Sequence, residues 1–267
     1  MPVVSTPSST EAVLARTVGG TGPGLVLAHG AGGSVALNYG PILDGLGAGH
    51  TVVGVDYPGT GRTPRAAGRL TLDFLADQLI AAADAEGLER FALAGFSLGG
   101  PVAIRAAAKH PDRVTALVLT ATFAYRDARL DLAAKLWGDL FEAGDTVRLS
   151  EFLTLSAFSA EALRAMPERE LRLAIEGLAE LIPAGTPEHV DLVRRADVRG
   201  DLAWVTAPTL VVSTTADPLV SPRLHEELAA GIAGARLARI DTGHLPFAER
   251  PEEWLGLITG FLAEYSA

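Results

Sequence analysis

A short apolar run that ends on Gly95-Phe96-Ser97-Leu98-Gly99 and gives way to an alanine-rich helix constrains this chain more than any other feature. Phe91 to Ala94 reads as a strand, and the helix continues to His110, with Pro111 beyond it. Passing from strand to helix so quickly demands a sharp turn. Glycines two residues before and two after Ser97 remove the side chains that would block it, and the serine is left on strained backbone at a helix start. The next run, Val114 to Leu119, is nearly all β-branched residues and leucine. Strand, helix, strand at this spacing calls for right-handed crossovers and a parallel sheet buried on both faces.

The same texture precedes and follows it. Gly24 to Ala28 runs into His29-Gly30-Ala31-Gly32-Gly33, and Thr51 to Val55 into Asp56-Tyr57-Pro58-Gly59-Thr60-Gly61. Leu72 to Glu86 carries a helical period that Gly87 can terminate, while Leu210 to Val212 and Leu237 to Ile240 are further strands flanking a helix from about Pro222 to Ala233. Between Ala124 and Asp201 no β run stands out, and helical periods occupy Leu130 to Phe141, Thr146 to Leu155, Glu168 to Leu181 and Glu188 to Arg195. The expected organisation is one α/β core in two parts, 1–123 and 202–267, interrupted by a helical cap over 124–201. At 267 residues and 48% hydrophobic content, one domain with an insertion suits the chain better than two domains.

Charge and composition remove several function classes. A net charge of −10 disfavours binding to nucleic-acid backbones, which needs clustered Lys and Arg. With no cysteine, disulfides, thiolate chemistry and cysteine metal sites are excluded, and no H-E-x-x-H pattern offers a histidine metal site. Neither a metal nor a cofactor is expected. The Gly30 to Gly33 run lacks the lysine and Ser/Thr of a phosphate loop and the G-x-G-x-x-G spacing of a dinucleotide site. Met1 to Thr10 reads as a loose tail without the features of a secretory signal, and no apolar stretch approaches the roughly 20 residues a membrane helix needs. A cytoplasmic protein with no membrane or nucleic-acid partner is expected, whether monomer or homodimer.

A serine hydroxyl is a weak nucleophile near neutral pH and needs a base, which in turn needs an acceptor to fix its tautomer. Of six histidines, His244 follows the last strand in the loop Asp241-Thr242-Gly243-His244, where it can reach the crevice at the strand ends. His110 reads as a helix end, His50 and His189 as members of polar connections, His225 as part of a surface helix, and His29 as a residue that orders its own loop. Asp217, just after the Leu210 to Val212 strand, is the preferred acceptor; Asp241 competes but sits so near His244 that a local amide would take it. Ser97 is then the nucleophile. Its oxyanion would meet the Leu98 amide and a second donor from the glycine-rich loop, Ala31 first and Gly32 second.

The G-x-S-x-G elbow, Gly30 and Ala31 after His29, the Asp56 to Gly61 loop, Asp217 and His244 together resemble the α/β-hydrolase superfamily, in its capped esterase, lactonase and carbon–carbon-bond hydrolase branch, over Leu14 to Tyr265. The resemblance implies an α/β-hydrolase fold with a mostly parallel, eight-stranded sheet and a helical cap. It also implies Ser97, Asp217 and His244 as triad, with the amides of Ala31 and Leu98 as oxyanion donors. Thr63 and Thr214 stand where many relatives carry Ser and Gly, and neither change removes a required group. Serine at position 97 argues against the dehalogenases and epoxide hydrolases of this fold, which use aspartate there.

The expected activity is hydrolysis of a small or medium ester or lactone through an acyl-enzyme. Cleavage of a β-diketone-type carbon–carbon bond or a thioester on the same triad is the alternative, and a non-catalytic small-molecule receptor the reading from another class. Phe96, Trp137, Phe141 and Phe158 are expected to face a largely uncharged substrate, although Arg126, Arg129 and Arg148 leave room for a carboxylate.

Overall fold

The computed structural model describes residues 14–265; the tail expected at Met1 to Thr10 lies outside them. Seven strands form one sheet in the order β1-β3-β2-β4-β5-β6-β7: β1 Arg16–Gly19, β2 Gly24–Ala28, β3 Thr51–Val55, β4 Phe91–Phe96, β5 Val114–Thr120, β6 Thr209–Thr214 and β7 Arg236–Ile240. Only β1 runs antiparallel to its neighbour; every other pairing is parallel. The sheet is therefore mostly parallel as expected, with seven strands among the described residues where eight were anticipated.

Helices cover both faces, as buried parallel strands require. In chain order they are α1 Val35–Tyr39, α2 Leu43–Gly47, α3 Leu72–Ala85, α4 Gly99–Lys109, α5 Ala128–Glu142, α6 Thr146–Ala157, α7 Ala160–Ala165, α8 Glu168–Leu181, α9 Thr186–Arg195, α10 Pro222–Gly231, α11 Pro246–Glu249 and α12 Pro251–Leu262. On one face Leu75 and Leu79 of α3, Val102 and Ile104 of α4 and Leu224 and Leu228 of α10 pack against Val26, Leu93, Leu117 and Val211. On the other, Tyr39, Trp254 and Ile258 pack against Leu27, Ala94, Val118 and Val212. Two of these buried side chains place their polar tips on acceptors: the Tyr39 hydroxyl donates to the Ala94 carbonyl at 3.0 Å and Trp254 Nε1 donates to Thr120 Oγ1 at 3.0 Å.

Helices α5 to α9 lie between β5 and β6, above the carboxyl ends of the strands. They include α7, a short helix that carries no clear period and was not anticipated. Two histidines sit otherwise than expected. His225 lies on the face of α10 that packs against β6, fully buried, with its Nδ1 3.1 Å from Ser213 Oγ. His189 belongs to α9 and is also fully buried. Among the described residues, no helix is long and apolar enough to cross a membrane.

Candidate active site

The turn between β4 and α4 is as tight as its glycines imply. Ser97 has φ of +52°, a left-handed conformation that costs a non-glycine residue energy. A Cβ on Gly95 would lie 2.5 Å from the Gly99 carbonyl oxygen, and one on Gly99 would collide with the Ala28 carbonyl. The strain is over-determined by hydrogen bonds: Ser97 N–H donates to the Thr120 carbonyl at 3.1 Å, and the Ser97 carbonyl accepts from Thr122 Oγ1 at 2.6 Å and from Gly100 N–H at 2.9 Å.

Three side chains from separate strand ends meet there. Ser97 Oγ lies 2.9 Å from His244 Nε2, and His244 Nδ1 lies 2.7 Å from Asp217 Oδ2. Asp217 is held independently of the histidine. Its Oδ1 accepts the backbone N–H groups of Leu219 and Val220 at 2.8 and 2.9 Å, and Oδ2 also accepts Thr214 Oγ1 at 2.9 Å. The competing Asp241 is exposed and accepts from Thr215 Oγ1 at 2.9 Å, away from the imidazole. With Asp217 on Nδ1, that nitrogen carries the proton and Nε2 presents a lone pair toward Ser97, the arrangement a general base requires.

The loop after β2 presses against the same point: a Cβ on Gly30 would stand 3.2 Å from Ser97 Cβ. Of its N–H groups, Gly30 donates to Asn38 Oδ1 at 2.9 Å, Gly33 to the Gly30 carbonyl at 3.2 Å and Gly32 to His189 Nδ1 at 3.1 Å. The Gly32 N–H, the second choice of oxyanion donor, is thus engaged by His189. The Ala31 and Leu98 N–H groups have no hydrogen-bond acceptor among the described residues. His29 does order its loop, donating from Nδ1 to the Gly30 carbonyl at 2.8 Å and accepting Tyr57 N–H on Nε2 at 2.9 Å. Burial, the largest cause, pushes its pKa down to about 3, and proximity to His189 adds to the effect.

A cavity of about 170 Å³ opens over Ser97, walled by Phe96, Trp137, Phe158, Leu219 and Phe247. Phe141, expected to face the substrate, does not line it. The period of α5 identifies an apolar face, and on that face it is Trp137 that turns toward the cavity. Among the described residues, no group of three or more His, Asp or Glu side chains is gathered in a metal-ligand arrangement.

The family model described as alpha/beta hydrolase fold matches residues 23–251. The chain belongs to that family. Among curated proteins it is 34% identical to pyrrolizixenacetamide deacetylase of Xenorhabdus hominickii, covering 94% of this chain and 95% of that one. It is 31% identical to a pimeloyl-[acyl-carrier protein] methyl ester esterase of Neisseria meningitidis, over 88% of this chain and 92% of the relative. The enol-lactonase of Burkholderia xenovorans superposes with a TM-score of 0.83 at 23% identity, covering 94% and 96% of the two chains, a likeness in fold. As an α/β-hydrolase with such relatives, the protein is a hydrolytic enzyme.

Several supporting residues escaped the sequence. Glu249 of α11 accepts from Gly243 N–H at 3.1 Å and from the N–H and hydroxyl of Ser159 at 2.9 and 2.7 Å, joining the His244 loop to the α6–α7 junction. His244 N–H donates to the Ala157 carbonyl at 2.6 Å in the same seam. Nothing local distinguishes Glu249 from a solvated helix-start carboxylate; only its partners do.

Proposed function

We propose that this hydrolase cleaves a small or medium, largely uncharged carboxylic ester or lactone through an acyl-enzyme on Ser97. The observation that carries the reading is the hydrogen-bonded line Asp217, His244, Ser97 ending at an apolar cavity. In this scheme His244 Nε2 takes the hydroxyl proton as Ser97 Oγ bonds to the carbonyl carbon, and Asp217 stabilises the imidazolium that results. The oxyanion is met by the Ala31 and Leu98 N–H groups, with the start of α4 adding its dipole. Collapse returns the proton to the leaving oxygen, and water, activated by the same base, releases the acid and restores Ser97.

Residues 124–201 act as a cap whose Trp137 and Phe158 wall the acyl site, with Phe96 beneath. Substrate neutrality follows from what the arginines do: Arg126 Nε donates to the Arg194 carbonyl, Arg129 to the Pro218 carbonyl, and exposed Arg148 pairs with Asp145. None lines the cavity. The test is kcat/KM across neutral esters and lactones of increasing acyl size against matched compounds carrying a carboxylate. Neutral members should win, and a strong preference for the charged ones would reject the proposal. A second reading, removal of an acetyl group from an amide, is favoured by the identity to a deacetylase over nearly the whole chain. Including acetamides in the series decides it: turnover of acetamides comparable with that of matched acetate esters would favour amide cleavage, and undetectable amide turnover would reject it.

A further inference from the structure

Gly32 is held in a left-handed conformation, φ +64°, by two side chains that come from the helices between β5 and β6. Trp137 of α5 packs so closely that a Cβ on Gly32 would lie 2.7 Å from its Cζ2. His189 of α9 accepts the Gly32 N–H on Nδ1 at 3.1 Å, and its Nε2–H donates to the Pro58 carbonyl at 3.0 Å. One imidazole therefore ties together the loops after β2 and β3. It does so as a single neutral tautomer, because a proton on Nδ1 would point at the Gly32 N–H. Around the ring stand His29, 6.2 Å away between centroids, and Tyr57, edge-on at 5.9 Å. Burial, the largest cause, pushes the His189 pKa down to about 4, so the imidazole stays neutral through the working range of an esterase.

Peptide planes are shared between neighbours. Fixing the Gly32 N–H also fixes the Ala31 carbonyl, and with it the direction of the Ala31 residue whose own N–H is left without a partner beside Ser97. We infer that His189 is a positioning residue for the oxyanion site: by accepting the Gly32 N–H it holds the turn that keeps the Ala31 N–H available to the reacting oxygen. The inference rests on the acyl-enzyme reading above. It adds that the inserted helices contribute to the rate of the chemical step as well as to the walls of the pocket. A loosened donor weakens transition-state binding more than substrate binding, so the effect belongs in kcat.

The two ring nitrogens can be removed separately. His189→Asn places an amide oxygen where Nδ1 stands and keeps an acceptor for Gly32, while His189→Gln reaches the Nε2 position and keeps a donor for Pro58. With p-nitrophenyl acetate as substrate, H189N should hold kcat within about threefold of wild type. H189Q should lose about 10- to 100-fold in kcat with KM changed less than threefold, a fraction of the 10²–10³ that deleting a whole oxyanion donor costs. Affinity for an alkyl trifluoromethyl ketone, which forms a tetrahedral adduct on serine, should fall in parallel with kcat/KM. Thermal melting of both variants separates this from a packing role: activity must follow the Gly32 acceptor, not the melting temperature. Equal activity in the two variants, or losses that track melting temperature, would overturn the inference. Ser97→Ala measured alongside keeps the two claims apart, since full turnover by S97A would reject the acyl-enzyme reading whatever the His189 variants do.

Discussion

The sheet and two of the helices inserted between β5 and β6, α7 and α8, are packed on opposite terms. Every residue of β4 and β6, the strands that lead to Ser97 and Asp217, is buried, whereas α7 and α8 bury no residue fully and leave Leu173 and Leu181 more than half exposed. Close packing on both faces gives the strand ends little room to move, which suits three side chains that must meet within hydrogen-bond distance. Helices α7 and α8 are packed more loosely, which is compatible with the proposed role of the inserted segment as an apolar wall. The two layers are nonetheless tied together, among other places by the His189 contact to Gly32 and the Glu249 clasp to Ser159. At both, the looser layer is pinned to a loop beside Ser97 or His244.

If that contrast is right, sheet-side changes should remove chemistry and helix-side changes should redirect it. The largest effect belongs to Ser97→Ala and His244→Ala, each expected to lower kcat by about 10⁴-fold or more with unchanged far-UV circular dichroism, since neither group works without the other. Near-full turnover by either purified variant would break the comparison at its stronger end. Asp217→Asn should cost up to about 10⁴-fold by favouring the wrong imidazole tautomer, while Asp241→Asn stays near wild type; the reverse ranking would transfer the acceptor role.

Acid stability comes next in size. Burial depresses His29 to about 3 and His189 and His225 to about 4, against 6.5 in an unfolded chain. Below pH 6.5 the unfolded state takes up protons that the folded state refuses. Stability is thus intact above that pH and falls as pH drops toward 4, by up to about 1.4 kcal/mol per unit for each histidine. Urea-unfolding free energies between pH 7 and 4.5 should show this decline, and a flat profile would mean that these imidazoles are not buried neutral. The smallest effect is on selectivity. Trp137→Ala and Phe158→Ala should shift the preferred acyl size, changing relative kcat/KM by roughly 10-fold for one or two added methylenes. Phe141→Ala, away from the cavity, should leave the ranking unchanged, and equal responses from all three would erase the assigned wall.

What the sequence made legible follows the same division. The central strands announce themselves as unbroken apolar runs ended by glycine, and the elbow around Ser97 is a local constraint that five residues can carry. Asp217 and His244 are legible because each follows a strand end. By contrast β1, Arg16–Gly19, is a short edge strand with a largely exposed pattern and no apolar run to mark it. The burial of His189 and His225 could not be read locally. Their partners, Gly32 and Ser213, lie 157 and 12 residues away, and a buried imidazole and a solvated one look alike in a polar helix. The engagement of the Gly32 N–H is hidden for the same reason: its partner comes from another layer of the molecule. Phe141 shows the limit of periodicity, which finds an apolar helix face without saying which of its side chains borders a cavity.

In the proposed reaction Ser97 carries the acyl group during turnover, and rapid acid quenching during hydrolysis of p-nitrophenyl acetate, followed by intact-mass and peptide analysis, captures that intermediate. A 1:1 acetyl adduct is expected on the peptide containing Gly95 to Gly99, localised to Ser97, appearing with the initial burst of p-nitrophenol, enriched when deacylation is slowed and absent from S97A. An adduct on another residue, or a burst and full turnover that persist in S97A, would contradict the proposed reaction.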